Sequence, residues 1–295
     1  MFDTIVVPLD GSSAAERVLA YVARLPSRRV RLLQVFPDVS DLVPDPELLD
    51  AWRRARAEDA EAYLGHLAEP LRGQGREVDQ AWAFGEPAEQ IVTAAAPGDL
   101  IAMSTHGRGL AGRVLLGSVA DRVVRHAAAP TLLVRAGERP TGGAEVARLV
   151  VPLDGSKLAE QALPVAAELA RELGVPVRLV RALDVDLVRA AVQAGPAVAA
   201  AHAASQARLE TGILAELEAR AASLREQGVA ATAEVLHGAA VPALLAALVP
   251  DDLLVLTTHG RGNVGRWLLG SVAEPLVRQA VAPVLLVRAR RNGAG

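Results

Sequence analysis

Residues 99–135 read DLIAMSTHGRGLAGRVLLGSVADRVVRHAAAPTLLVR, and residues 252–288 read DLLVLTTHGRGNVGRWLLGSVAEPLVRQAVAPVLLVR. The two stretches are identical at 24 of 37 positions. An internal repeat of this length indicates a duplicated structural unit, so the sequence predicts two similar domains in tandem. Because residues 136–147 have the Gly- and Pro-containing composition of a linker, we place the domains at 1–138 and 146–291.

The composition narrows the class of protein. Hydrophobic residues make up 51% of the chain, yet no run approaches the roughly 20 apolar residues of a membrane span, so we expect a soluble protein. The absence of cysteine excludes disulfides, thiolate catalysis and cysteine-bound metals. A net charge of −3 gives no general attraction to nucleic acid or anionic membranes. No basic segment precedes the first apolar run, so the start does not resemble a signal peptide and we expect a cytoplasmic protein.

Short apolar runs alternate with stretches of helical periodicity in both halves. The predicted strands cover residues 4–9, 30–36, 78–83, 100–104 and 131–134, and then 148–153, 176–182, 231–236, 253–257 and 284–287. The predicted helices cover residues 14–25, 47–72, 87–95 and 117–127, and then 156–173, 200–227, 241–248 and 270–280. Residues 190–204 are rich in alanine, but Gln193, Pro196 and His202 interrupt them. These interruptions favour a segment that leads into the next helix over a membrane anchor.

This alternation predicts the architecture of each half. Strands joined through helices form parallel sheets, and right-handed crossovers place the helices on both faces. We therefore expect an α/β protein made of two tandem, doubly wound, Rossmann-like domains.

Two kinds of segment leave the predicted strand ends. PLDGS at residues 8–12 is matched by PLDGS at 152–156, and STHGRG at 104–109 is matched by TTHGRG at 257–262. In an open parallel sheet, ligands bind at the carboxyl ends of the strands, where the winding direction reverses. We therefore expect the functional site of each half at these segments.

A second glycine follows each glycine-rich loop. Nine residues separate Gly107 from Gly117, which stands with Ser118 at one predicted helix start, and nine separate Gly260 from Gly270, which stands with Ser271 at the other. Glycine lets backbone amides approach an anion closely, and a helix start offers unpaired N–H groups. The pattern predicts a cradle for a polyphosphate in each half.

This arrangement resembles the universal stress protein family over nearly the whole chain, twice. The nucleotide-binding members carry Gly-x-x-Gly, nine residues and then Gly-Ser or Gly-Thr, after a first strand that ends in Pro-x-Asp. The resemblance implies an ATP site in each half. It puts the phosphates at Gly107, Gly117, Ser118, Val119, Gly260, Gly270, Ser271 and Val272. Asp10 and Asp154 would lie in the crevice, and Val35 and Ala182 would line the adenine pocket.

The resulting candidate binding residues follow the same pattern in both halves. Those of the first half are Pro8, Leu9, Asp10, Val35, Met103, Ser104, His106, Gly107, Arg108, Gly117, Ser118 and Val119. Those of the second half are Pro152, Leu153, Asp154, Ala182, Leu256, Thr257, His259, Gly260, Arg261, Gly270, Ser271 and Val272. Ser104 and Thr257 depart from the family pattern, which has its first glycine there. Their side chains would crowd the ribose or offer it a hydroxyl group.

Several candidates have a purely structural alternative. The glycines could serve only turns and helix packing. The histidines of the loops lack a second ligand at metal spacing, which favours a loop hydrogen bond over metal ligation. Asp10 and Asp154 could cap the helices that follow them. The loop arginines could pair with phosphates or remain solvated; they are Arg108, Arg113, Arg261 and Arg266.

The motifs favour binding over catalysis. The chain has no Gly-x-x-x-x-Gly-Lys-Ser/Thr motif and no nucleophile elbow. We expect a regulatory ATP-binding protein of the stress response, with Mg²⁺ accompanying the nucleotide, a homodimeric state and a regulatory protein partner. A nucleotide-free dimeric scaffold of the same fold is one alternative. A slow nucleotide hydrolase or transferase is the other.

Overall fold

The computed structural model describes residues 2–105, 116–135, 144–184, 196–258 and 270–289. The chain divides into two compact units, Met1–Glu145 and Val146–Gly295. Each unit contains its own parallel sheet with helices between the strands.

The first unit has five parallel strands in the order β3-β2-β1-β4-β5. The strands are β1 (Phe2–Leu9), β2 (Ser27–Phe36), β3 (Glu77–Phe84), β4 (Leu100–Ser104) and β5 (Thr131–Val134). The helices are α1 (Ser13–Glu16), α2 (Val18–Val22), α3 (Pro46–Arg72), α4 (Pro87–Thr93) and α5 (Ser118–His126). The winding direction reverses between β1 and β4, so the carboxyl ends of these two strands border the switch point.

The second unit repeats this order as β8-β7-β6-β9-β10. Its strands are β6 (Arg148–Pro152), β7 (Val177–Leu183), β8 (Ala231–His237), β9 (Asp252–Thr258) and β10 (Val284–Arg288). A 3₁₀ turn (Ala159–Gln161) leads into α6 (Ala162–Leu173). The remaining helices are α7 (Pro196–Glu226), α8 (Ala240–Ala247) and α9 (Ala273–Gln279). The expected fold of two tandem doubly wound domains is confirmed.

The cores follow from the continuous apolar runs of the central strands. Ile5, Val6 and Val7 are fully buried in β1, and all five residues of β4 are buried. A parallel sheet covered on both faces needs such runs, because neither face of its central strands meets water. Within the described ranges, no helix has the length and hydropathy that a membrane crossing requires.

Some predicted boundaries differ from the structure. The helix expected over residues 156–173 begins as a 3₁₀ turn, and the one expected over 270–280 starts only at Ala273. Residues 190–204 were expected to form a segment that leads into the next helix. This expectation is wrong from Pro196 onward, because α7 begins there. Residues 190–195 lie outside the described ranges. Proline suits the first turn of a helix, and the alanines after it have high helix propensity.

A buried carboxylate stands at the start of the fourth strand of each unit: Asp99 directly precedes β4, and Asp252 is the first residue of β9. Asp99 accepts N–H bonds from Thr4 (3.1 Å) and Ala96 (2.8 Å). Asp252, 1% exposed, accepts one from Val249 (3.0 Å) and two from the Arg148 guanidinium (2.8 and 3.0 Å). Each carboxylate therefore ties the first strand of its unit to the turn that precedes the fourth.

Replacing Asp252 by alanine should lower the free energy of unfolding by about 3 kcal/mol, because the Val249 N–H and the Arg148 guanidinium lose their acceptor together. Urea unfolding of the full chain measures this loss. The matched control is Asp251→Ala, which keeps the backbone carbonyl that accepts the Ala147 N–H. Equal destabilisation by the two variants would contradict the assigned role of Asp252.

Candidate functional site

The second unit has a cavity of about 300 Å³ at the carboxyl ends of β6, β7 and β9. The residues before α9 and one face of α8 complete its wall. Nine of the twelve residues predicted for this half line the cavity: Pro152, Leu153, Asp154, Ala182, Leu256, Thr257, Gly270, Ser271 and Val272. The other three, His259, Gly260 and Arg261, lie outside the described residues.

The cavity has further lining residues that the sequence reasoning missed. They are Ser156, Leu158, Ala159, Val180, Arg181, Ala240, Leu244 and Ala273. Ala240 and Leu244 are spaced four apart on α8, which is the helical spacing that places two side chains on one face. Their distance in sequence from both loop motifs explains why motif spacing could not find them.

The chemistry of the wall is mixed. Val180, Ala182 and Leu256 make one part apolar, whereas Thr257 and Ser271 offer hydroxyl groups. A small number of polar groups in a mainly apolar cleft is typical of small-molecule sites.

Asp154 supports the turn that borders the cavity. Its Oδ1 accepts the Ser156 N–H at 2.8 Å, and the Ser156 hydroxyl accepts the Ala159 N–H at 3.1 Å. Burial alone would raise the pKa of Asp154, but the hydrogen bonds from Ser156 and the charge of Arg181 outweigh it and lower that pKa. Asp154 is therefore a carboxylate at neutral pH.

The same turn in the first unit resolves the capping question. Ser12 is the N-cap of α1, and its hydroxyl accepts the Ala15 N–H at 3.2 Å. Asp10 in turn accepts bonds from the Ser12 N–H (2.9 Å) and hydroxyl (2.6 Å). Serine thus caps the helix, and the aspartate holds the serine.

The first-half candidates lie at several strand ends and at a helix start. Pro8 and Leu9 end β1, Met103 and Ser104 end β4, and Gly117 is the N-cap of α5, followed by Ser118 and Val119. Asp10 and Val35 line a separate cavity beside α3. His106, Gly107 and Arg108, like Arg113 and Arg266, fall outside the described ranges.

The two positions that depart from glycine carry buried or partly buried side chains. Ser104 is 7% exposed, and its buried hydroxyl has no hydrogen-bond partner among the described residues. Thr257, its counterpart, lines the cavity of the second unit. A buried hydroxyl without a partner is uncommon, and a bound ligand can satisfy one.

Comparison with protein families shows the relationship of the chain. The sequence model described as "Universal stress protein family" matches residues 1–135 and again residues 145–288. The chain belongs to the universal stress protein family.

Several universal stress proteins are similar to this chain. One from Mycobacterium tuberculosis is 27% identical over 295 residues, covering 96% of each chain. One from Thermus aquaticus is 38% identical over 140 residues, which is 46% of this chain and 100% of the relative. The crystal structure of one from Archaeoglobus fulgidus superposes with a TM-score of 0.73 at 20% identity, over 97% of this chain and 98% of that one. This last similarity concerns the fold.

The described parts of this universal stress protein contain no group of three or more His, Asp or Glu side chains that could hold a metal ion. In the cavity of the second unit, Asp154 is the lone carboxylate among the lining residues described. A cation at this site would therefore have one carboxylate of the chain and would take its remaining ligands from hydroxyl groups, water or a bound molecule.

The turn after each first strand requires glycine. Gly11 and Gly155 have φ of 81° and 87°, in the left-handed region that other residues adopt only with strain. A Cβ on Gly155 would also stand 2.9 Å from the Arg181 Nη2 atom.

Gly155→Ala should therefore destabilise the chain by about 1–2 kcal/mol, from backbone strain and from displacement of the Arg181 guanidinium. Thermal or urea unfolding measures the change. Gly212→Ala is the matched control: Gly212 lies in α7 with nothing within 4 Å of an added Cβ, so alanine should stabilise the helix by up to about 1 kcal/mol. Similar effects of the two substitutions would contradict the assigned strain at Gly155.

Proposed function

We propose that this universal stress protein is a regulatory ATP-binding module of the stress response, with one nucleotide site in each domain. The observation that carries the proposal is the 300 Å³ cavity at the switch point of the second unit. Ligands of open α/β sheets bind at this position, and the volume lies at the lower end of the range for small-molecule sites.

Two parts of the cavity suit two parts of a nucleotide. The apolar wall formed by Ala182 and Leu256 suits the flat adenine ring, which gains by leaving water. Thr257, Gly270 and Ser271 suit the ribose and phosphates, because their hydroxyl and amide groups can donate hydrogen bonds to oxygen. The same residue types recur in the first unit at Ser104, Gly117 and Ser118.

We propose Mg²⁺ as the counter-ion of the bound triphosphate. Asp154 would place its carboxylate near that ion. The phosphate oxygens would supply the ligands that do not come from the protein. The fit rests on the oxygen donors of the cavity, which match the preference of Mg²⁺. A net charge of −3 leaves the chain little other charge to offset a triphosphate.

We further propose binding without rapid turnover. Phosphoryl transfer needs a positioned nucleophile and groups that stabilise charge as it develops. Asp154 is engaged by Ser156, and the Arg181 guanidinium is held by the Leu153 carbonyl and by Glu216. Occupancy of the site would then act on α9, whose start borders the cavity, and so on a surface read by a regulatory partner or by a second copy of the chain.

Calorimetric titration of ligand-free protein with ATP and Mg²⁺ should give two bound nucleotides per chain. Ala182→Phe should reduce this number to one, because the phenyl ring fills the adenine part of the second cavity. The same change at Ala207, exposed on α7, is the matched control and should leave two sites. If the wild-type chain gives no heat at micromolar ATP, the nucleotide-free scaffold replaces this proposal. Unchanged stoichiometry in Ala182→Phe refutes the assigned site.

Removing Mg²⁺ with EDTA should weaken ATP binding at least about tenfold but change AMP binding little, because the triphosphate carries the larger uncompensated charge. Two calorimetric series, with and without EDTA, measure the difference. Equal loss for ATP and AMP would indicate an effect of EDTA on the protein and contradict the assigned role of the ion. Product release in the same samples well above about one per minute would instead favour the hydrolase alternative.

A further inference from the structure

The start of α3 and the end of β3 meet in a group of four aromatic side chains. The rings of Trp52 on α3 and Trp82 on β3 lie 5.5 and 5.7 Å from the ring of Phe84, which lies 5.8 Å from that of Phe36. We call these four residues the aromatic cluster. The whole chain has three Trp, two Tyr and three Phe, so half of its aromatic residues gather at this one place.

Part of this apolar surface faces solvent. Trp82 is 39% exposed, and Leu48, four residues before Trp52 on α3, is 59% exposed. Residues four apart lie on one face of a helix, so Leu48 extends the aromatic cluster toward the start of α3. Among the described strands β3 pairs with β2 alone, which leaves Trp82 on an edge strand. Exposed apolar groups on a sheet edge are typical of surfaces that another chain covers.

Arg53 holds the aromatic cluster in place. Its guanidinium carbon lies 5.6 Å from the centroid of the Phe84 ring, and its Nη2 atom lies 3.5 Å from an oxygen of Asp38. A cation over a ring face is attracted to it, so Arg53 fixes the ring while Asp38 balances the charge. Side chains that are already ordered lose less entropy when a partner binds.

Acidic residues surround the exposed surface. Residues 37–54 contain five carboxylates and two arginines, which gives this segment a formal charge of −3, equal to that of the whole chain. Three of the carboxylates, Asp41, Glu47 and Asp50, are exposed and have no ion pair with any described residue. A helix start contributes only about half a positive charge, so the field around Leu48 remains negative.

The second unit lacks the exposed tryptophan. Val235 pairs with Arg181 as Trp82 pairs with Gln34, and Arg181 is the counterpart of Gln34 because each follows the residue that pairs with the proline of the first strand. Two residues further along the edge strand, His237 stands where the first unit has phenylalanine. The shared fold therefore does not require aromatic residues at these positions.

We propose that the aromatic cluster and Leu48 form a docking surface for a positively charged segment of a partner protein. Apolar side chains of that segment pack against Trp82 and Leu48, and its Lys or Arg side chains face the carboxylates of residues 38–50. Tryptophan is enriched at the energetic centres of protein interfaces, and opposite charges steer the partners together.

Charge also argues against other occupants. A symmetric contact between two copies of the chain would place one segment of charge −3 against another. Nucleic acids and anionic membranes are repelled by the same field. The docking surface does not depend on the proposed nucleotide sites, and its test needs no nucleotide.

A fluorescently labelled amphipathic peptide made of leucine and lysine is the probe, and the same peptide with glutamate in place of lysine is its control. Fluorescence anisotropy with the full chain should show saturable binding of the Leu/Lys peptide and no binding of the Leu/Glu peptide. Raising the NaCl concentration from about 0.05 to about 0.5 M should weaken binding at least about tenfold, because salt screens the attraction between exposed charges.

Substitutions locate the surface. Trp82→Ala should weaken binding of the Leu/Lys peptide at least about tenfold, because the indole supplies most of the apolar contact. Leu48→Ala changes an exposed side chain and should weaken binding at least about threefold, which keeps the test valid if Trp82→Ala fails to fold. The matched control is Leu214→Ala at an exposed leucine of α7, which should bind as the wild-type chain does.

A charge comparison completes the test. Asp41→Asn combined with Asp50→Asn should weaken binding of the Leu/Lys peptide more than Glu58→Gln combined with Glu61→Gln, which removes the same charge further along α3. Absence of binding by the wild-type chain, or equal affinities of Leu48→Ala and Leu214→Ala, would overturn the proposal. A wild-type dimer that Leu48→Ala dissociates in sedimentation would also overturn it, because the occupant would then be a second copy.

Discussion

The parallel pairing of the first strand with the fourth is the constraint on which each unit depends. It joins Ile5 to Leu100 in one unit and Leu149 to Leu253 in the other. Because connections leave these two strands in opposite directions, a crevice opens at their carboxyl ends. The buried Asp99 and Asp252 carboxylates secure the other ends of the same strands. The candidate nucleotide site is thus a product of the topology, and the loops supply its chemistry.

The two units show how one framework holds different chemistry. Their strand order and their Asp-Gly-Ser turns are the same, and the serine caps the following turn in both. At one position on the second strand, however, the first unit has Gln34 and the second has Arg181. The longer, charged side chain reaches a carboxylate on α7, whereas the shorter one leaves space beside α3. Duplication preserved the backbone and allowed the interior to diverge.

Much of the fold could be predicted from the sequence, because the apolar runs and the repeat are strong signals. The start of α7 at Pro196 could not be predicted, since proline occurs both at helix starts and where helices are broken. Nine predicted residues line the second cavity, but Ala240 and Leu244 belong to no motif and reach it only through helix packing. The cavity beside α3 was reached only in part: Asp10 and Val35 were predicted site residues, whereas Gln34 and Tyr63 join them only through the register of β2 and the position of α3.

The bond from Thr4 to Asp99 spans 95 residues, and the pair of Arg148 and Asp252 spans 104. During synthesis, the first strand of each unit leaves the ribosome long before its partner exists. At about 5–20 residues per second, that interval is about 5–20 s. Throughout it, one edge of a largely apolar strand has no neighbour, and an unpaired strand edge favours mispairing in a nascent chain. The central strand of each finished sheet is therefore the one that, within its unit, waits longest for a neighbour.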